Sequence, residues 1–259
     1  MKNTSDYSIS SLQKACDRWR HCSHQKLIES FHVPFPDKDK RSPDWLYRKN
    51  SFFLEQGLEE FKEMIKVAEK LKVHMAIRKE KVNDSFTIEG FCPILELIPP
   101  PNQKKLMKVG LFPMSLHYPG RPQSSLDPTG KVPKAFKTQV CQRWLNLHPG
   151  FIADQFAILE LPASGQNNES KKGDRFILEE ALVCRKRVLN YTYDQNDVED
   201  MKTKDFAQIF LHMGVNHNYD LEGEPSFIPV LQLVNGELLQ NNGEGDDFYE
   251  YATPCPPHC

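Results

Sequence analysis

SFFLEQGLEEFKEMIKVAEKLKVHM, residues Ser51 to Met75, is the stretch on which the reading of the whole chain turns. Leu54, Leu58, Phe61, Ile65, Ala68, Leu71 and Met75 recur in steps of three and four, which places them on one stripe of an α-helix. Glu55, Glu59, Glu60, Lys62, Glu63, Lys66, Glu69, Lys70 and Lys72 take the other face, several at the spacing where opposite charges support each other. The spacing predicts one long amphipathic helix lying on its own core, with Trp45, Leu46 and Tyr47 as an earlier turn of it. Such a helix organises a fold without indicating an activity.

On its N-terminal side, Leu12, Ala15, Trp19, Cys22 and Leu27 predict a serine-capped helix beginning at Ser10 or Ser11. Pro34, Pro36 and Pro43 then forbid helix and predict an extended connector. On the C-terminal side, Val73 to Ile77 and Ser85 to Ile98 are rich in β-branched and aromatic residues, so two strands are expected, joined as a hairpin through Asn83-Asp84. Pro93 donates nothing to a ladder and demands an edge or a bulge. Lys105 to Met114 is expected to return as a third strand.

His117 to Pro133, with Pro119, Gly120, Pro122, Pro128 and Gly130, is the best loop signal in the chain, and loops of that length are usually functional or without fixed structure. Phe136, Val140, Trp144 and Leu147 share one helical face, closed by Pro149-Gly150. Phe151 to Leu161 reads as a buried strand and Pro162 to Gly173 as a surface loop. Arg175 to Asn190, capped by Asp174, reads as a helix whose acids and bases match the macrodipole; a strand through Phe176, Leu178, Leu182 and Cys184 competes. Val198 to Met213 is expected to be helical and to stop at Gly214. Phe227 to Val234 reads as a strand, with Asn235-Gly236 as a type I′ turn and Glu237 to Gln240 returning beside it.

These elements predict an α+β fold, mixed helices and a largely antiparallel sheet in one compact unit. Residues 1–9 form a flexible start, residues 10–240 a single globular domain with a sub-boundary near 162–173, and residues 241–259 an acidic, mobile tail. No repeat of 20 to 50 residues occurs.

With 259 residues, 39% apolar and 26% charged, the chain has ordinary globular composition and enough length for a sizeable core. No apolar run approaches the roughly 20 residues that span a bilayer. The basic start lacks the apolar segment of a signal peptide, and seven scattered cysteines do not make a disulfide framework, so an intracellular location, cytoplasmic or nuclear, is expected. Net charge is -2, yet it is segregated. Between Pro101 and Gly150 eight Lys and Arg face a single acid, Asp127, while from Met201 to Cys259 two bases face nine acids.

Chemical motifs are sparse. Cys16, His21, Cys22 and His24 near one end, with Cys255, His258 and Cys259 at the other, could in principle compose a zinc site tying the termini together, but neither group contains a C-x-x-C pair, so no cofactor is expected, with zinc the minor alternative. His212 and His217 are one residue too far apart for a zinc-protease helix, and His212 reads instead as a helix-ending histidine. Ser164 lacks the preceding glycine of a nucleophile elbow, and Cys141 and His148 lie two helical turns apart. Neither phosphate-binding glycine motif occurs, and Gly243-Glu-Gly245 sits among acids.

The basic band carries more physical content. Lys104, Lys105, Lys108, Arg121, Lys131, Lys134, Lys137 and Arg143 are interleaved with Tyr118, Phe136 and Trp144, supplying cations for an anionic partner and rings for stacking. The expectation that follows is an interaction protein that engages a protein or other anionic partner through this band and the Pro-rich loop. Two other functions compete. One is an enzyme whose polar site gathers His117, Arg121 and His148 at strand ends, with Asp154 or Glu160 beside them. The other is a nucleic-acid-binding protein using the same cations. Oligomeric state is left open.

Overall fold

The computed structural model describes residues 7–34, 46–83, 86–102, 109–117, 134–160, 184–215, 227–235, 247–249 and 253–255. Ser8 is extended, and its hydroxyl accepts from the Ser11 N–H, capping α1 (Ile9–His21). Ser23 caps α2 (His24–Ser30) in the same way through Lys26. The short β1 (His32–Pro34) pairs with β2 (Leu46–Arg48).

The decisive stretch is not one helix. It is β3 (Ser51–Phe53), α3 (Leu58–Ile65) and β4 (Lys70–His74) in succession, and Leu46 and Tyr47 belong to β2 rather than to a preceding helical turn. Gly57 starts α3 from the left-handed region, φ 80°, where a side chain would be strained, and a Cβ there would also stand 3.3 Å from the Phe112 ring. Past Ile65 the chain closes two tight turns, Val67 to Met64 and Ala68 to Ile65, and then extends. In β4 alternate residues, Leu71 and Val73, are buried.

The chain continues through β5 (Ile77–Asn83), β6 (Phe86–Phe91), β7 (Ile94–Ile98), β8 (Gly110–Pro113) and β9 (Ser115–Leu116). A hairpin does turn near Asn83, but it joins β5 and β6, and the two strands expected over Val73 to Ile77 and Ser85 to Ile98 are four, β4 to β7, with Pro93 lying between β6 and β7. Next comes α4 (Lys134–Asn146), as the Phe136, Val140, Trp144 spacing requires. Two 3₁₀ turns, Pro149–Phe151 and Ala153–Phe156, occupy the first half of the expected Phe151 strand, leaving β10 (Ala157–Glu160). β11 (Cys184–Arg187) pairs with β10 and β12 (Asn190–Tyr193) follows, so residues 184–190 are not the end of a helix. Residues 161–183 lie outside the described set.

The helix expected from Val198 to Met213 is also two elements. α5 (Gln195–Lys202), capped by Asp194 on the Asp197 N–H, ends at Thr203, and β13 (Gln208–Val215) runs on through Gly214. β14 (Phe227–Val234) matches its expected bounds; the return strand over 237–240 falls outside the described residues. β15 (Asp247–Tyr249) and β16 (Thr253–Cys255), inside the segment expected to be a mobile tail, are paired edge strands.

Two five-stranded sheets result, ordered β16-β12-β4-β7-β8 and β15-β14-β13-β3-β9, and every pairing among the described residues is antiparallel. The α+β expectation therefore holds. The stretch β3-α3-β4 carries the chain from the second sheet to the first, and β12-α5-β13 carries it back. The sheets face each other. Tyr193 in β12 donates to the Pro229 carbonyl of β14 at 2.8 Å, and the rings of Tyr191 and Phe227 lie 5.3 Å apart. One apolar cluster holds Leu71, Val73, Leu95 and Leu97 of the first sheet with Ile209, Leu211, Met213 and Leu231 of the second.

At one end this core becomes aromatic: Trp19, Phe31, Phe91, Trp144 and Phe156 meet with centroids 4.5 to 6.1 Å apart. Each buried indole N–H is satisfied, Trp19 on the Val188 carbonyl at 2.8 Å and Trp144 on the Lys49 carbonyl at 2.9 Å. Lys49, fully buried, donates to the Phe91 carbonyl at 3.0 Å. Helices cover the outer faces. Leu12 and Ala15 of α1 pack on Ala76, Ile94 and Leu111, while Val140 of α4 packs on Val230.

Candidate functional site

The part of the molecule that gathers the most residues of interest is the outer face of the second sheet, where α4 crosses it. Strand alternation turns Ile209, Leu211 and Met213 inward and so presents Phe210, His212 and Gly214 outward. Register sets His212 opposite Ser51 and Val230, and Phe210 opposite Phe53 and Gln232. α4 can lie this close because residue 214 is glycine: a Cβ there would stand 2.9 Å from Val140 Cγ2. Beside the helix the face opens onto three half-exposed rings. His117 lies 6.0 Å from Phe53 and 5.3 Å from Phe210, and Phe53 lies 6.2 Å from Phe210. The His117 N–H donates to the Ser51 carbonyl at 2.9 Å, which ties this corner to β3.

Beside the rings, under α4, runs a buried hydrogen-bonded chain. Gln232 Oε1 lies 2.6 Å from His212 Nε2, and Ser51 Oγ lies 2.8 Å from His212 Nδ1. With the amide oxygen accepting from Nε2–H, Nδ1 is the acceptor and the Ser51 hydroxyl donates to it. Burial pushes the His212 pKa well below the ordinary histidine value; nearby Lys137 and His117 push the same way, and the Gln232 bond opposes them. The ring is therefore neutral at pH 7. Serine and imidazole stand within the reach that nucleophile activation requires, yet Ser51 is 5% and His212 1% exposed. No substrate reaches them in this arrangement, and what the bonds accomplish is to satisfy the polar groups that α4 covers.

Two of the expected site residues come together here. His117 forms the ring corner, and Lys137, on the first turns of α4, is close enough to bias both His212 and Cys141, whose thiol burial pushes up to about 11 against the pull of Lys137. Arg143 is half-buried, roughly 120° around the helix from Lys137 at 100° per residue. It makes no hydrogen bond or ion pair with a described residue. Lys134 begins α4. Lys104, Lys105, Lys108, Arg121 and Lys131 lie outside the described residues.

His148, the other expected polar residue, does not join His117. It follows the far end of α4, roughly 14 Å along the axis from Lys137 to Asn146. There its Nδ1 accepts from the Gly150 N–H at 3.2 Å beside the exposed Phe151 ring. Asp154 sits half-buried in the second 3₁₀ turn, and Glu160 closes β10. Among the described residues no group of three or more histidine, cysteine and acidic side chains is arranged to hold a metal. Residues 256–259, with His258 and Cys259, are outside that set.

The sequence reading missed Ser51, Phe53, Phe210 and Gln232, and placed His212 at a helix end. It also missed Arg48, which holds α4 from its other end. The Arg48 guanidinium donates to the Trp144 carbonyl at 2.8 Å and to that of Leu147, and lies 6.0 Å from the Trp144 ring centre. A cation on the last carbonyls of a helix complements its dipole.

The class these observations define is an α+β protein of two antiparallel five-stranded sheets, with a helix-covered polar cluster and an open aromatic corner on one outer face. No protein-family model, curated protein or solved structure matches the chain. Among the described residues no helix is long and apolar enough to cross a membrane.

Proposed function

We propose that this protein is an interaction module that engages an acidic protein segment at the open corner of the second sheet, beside the start of α4. The observation that carries this reading is the set of three half-exposed rings, Phe53, Phe210 and His117, on the face where Lys137 of α4 comes near enough to His212 to lower its pKa. His117 and Lys134 are also the two ends from which the segment 118–133 departs, and that segment contributes Arg121 and Lys131 from its sequence. Flat apolar rings with cations around them suit a partner that carries carboxylates near an apolar or aromatic side chain. Segregation of eight bases against one acid over residues 101–150 supplies long-range attraction for the same partner.

Fluorescence anisotropy with a labelled polyglutamate peptide and, separately, with single-stranded and duplex oligonucleotides tests it. Peptide binding should weaken several-fold on charge reversal of Lys131, Lys134 and Lys137 together, and again in Phe210→Ala. Tighter binding of an oligonucleotide, with affinity falling steeply as salt rises, would transfer the reading to nucleic acid. Absence of binding to all three probes, or binding that ignores the charge reversal, ends it.

A further inference from the structure

A separate concavity lies on the far side of the aromatic core, between the last turn of α1, α2, β1 and the β5-β6 hairpin. Its volume is about 760 Å³. That is the scale of sites for small organic molecules, roughly 300 to 1,000 Å³. Ile77 and Pro34 provide apolar wall, and Arg18, Lys26, His21 and His32 converge on it from three elements.

Local bonding orients three of these four groups. Arg18 Nη1 donates to the Ile77 carbonyl at 3.2 Å, which aims the guanidinium while leaving most of its five N–H groups for another acceptor. His21 Nδ1 lies 2.9 Å from the Asp17 carbonyl and His32 Nδ1 2.8 Å from the Ile28 carbonyl. Carbonyls only accept, so both rings donate from Nδ1 and keep Nε2 as an open lone pair. Two acids also face the space: Glu89 pairs with Lys79 at 3.7 Å, while Glu29 accepts only from the neutral Gln25 amide at 2.8 Å, so Arg18, Lys26 and Lys79 stand against two carboxylates. Neither Arg18 nor Lys26 forms an ion pair with a described residue. Positive charge is left over in the wall.

We propose that this cleft binds a small multiply charged anion, a phosphate or dicarboxylate group on a compact organic body. Arg18 and Lys26 take its charge, and the His21 and His32 rings, which line the same wall, lie beside it. Burial lowers the His32 pKa, so a charge on that ring is disfavoured in the empty cleft, and a bound anion would offset part of that cost.

Histidine ring resonances of the full chain report on the cleft directly. The signals of His21 and His32 are identified by their loss in His21→Gln and His32→Gln. Inorganic phosphate and malonate are then titrated separately at pH 6.5 and constant ionic strength. The expected result is a saturable shift of the His21 and His32 signals with one or both anions, the preferred anion naming the class, while His148 and His212 stay still. Lys26→Glu, at an exposed position, should weaken the saturation at least about tenfold, the scale of one charge-assisted contact. Arg18→Met should do the same, with unchanged far-ultraviolet dichroism as the control for folding. If neither anion moves these two signals, if all histidines drift together without saturating, or if Lys26→Glu saturates like the parent, the proposal falls.

Discussion

Acid should loosen α4 from its sheet through His212, and the size of the effect follows from where that ring sits. In the unfolded chain a histidine titrates near 6.5, whereas in the fold burial, Lys137 and His117 hold its pKa well below that. The folded-state value is depressed, so the folded protein resists a proton that the unfolded chain accepts. The stabilisation this neutral ring confers is complete above pH 6.5 and is lost as pH falls below it. The slope approaches about 1.4 kcal/mol per pH unit for one proton. The comparison that isolates the ring is His212→Gln, which keeps a donor toward Gln232 and removes the titration. Near pH 8 the variant should be less stable by about 1 to 3 kcal/mol, the usual consequence of disturbing a buried bonded group. Between pH 6.5 and 5 the parent should lose stability faster, so the two curves converge. Urea unfolding followed by tryptophan fluorescence at half-unit pH steps measures both. Other groups, including half-buried His32, titrate alike in the two proteins and cancel. Parallel curves over that window would refute the reasoning, because they would mean that the folded protein protonates His212 as readily as the unfolded one.

Three further outcomes follow from particular contacts. Gly214→Ala places a methyl 2.9 Å from Val140 Cγ2 and should destabilise by about 1 to 3 kcal/mol, with Val140→Ala in the same chain restoring part of the loss in denaturant titrations. Arg48→Met keeps an apolar stem over Trp144 but strips the carbonyls of Trp144 and Leu147 of their cation, so a loss of about 1.5 to 3 kcal/mol is expected by the same assay. Burial raises the Glu96 pKa, but the His74 bond at 2.6 Å and Lys72 together outweigh it, so the carboxyl is held below its usual value. The stabilisation it contributes is therefore present above about pH 4.5 and lost as pH falls through the folded value, and Glu96→Gln should flatten the acid limb of the stability curve.

Which side chains lie inside was legible even where the backbone was misjudged. Leu54, Phe61, Ile65, Ala68, Leu71 and Met75 are all buried, as the stripe requires, yet only Leu58–Ile65 is helical. From Leu71 onward the pattern is ambiguous, because Leu71, Val73 and Met75 also alternate with Lys70, Lys72 and His74 at the period of a strand. What decides is the company on either side: β7 and β12 both bond to β4, and no local periodicity reports that. Ile209, Leu211 and Met213 posed the same ambiguity and resolved the same way between β3 and β14. Elements set by local chemistry came through. A serine caps α1, though it is Ser8 rather than Ser10 or Ser11 and Leu27 falls in the separate α2, the β5-β6 hairpin turns near Asn83, and α4 buries Val140 and Trp144.

The candidate site was half visible for a related reason. Cations and His117 stand out by residue type, but what gives them a setting is strand register. Ser51 and His212 are 161 positions apart and meet only because β3 and β13 pair at those residues. A helix prediction for residues 198–213 removes the alternation that turns Phe210, His212 and Gly214 to one face, and with it the whole site. The misassigned element and the missed residues are thus one error. It also explains why polar side chains persist under α4. Each of Ser51, His212 and Gln232 bonds to another member, so changing one removes a hydrogen bond from its neighbour in a place water does not reach. The three are held as a set. Strand register also places the aromatic corner beside that set: Phe53 pairs opposite Phe210, and the Phe210 ring lies 6.0 Å from His212 in a parallel orientation.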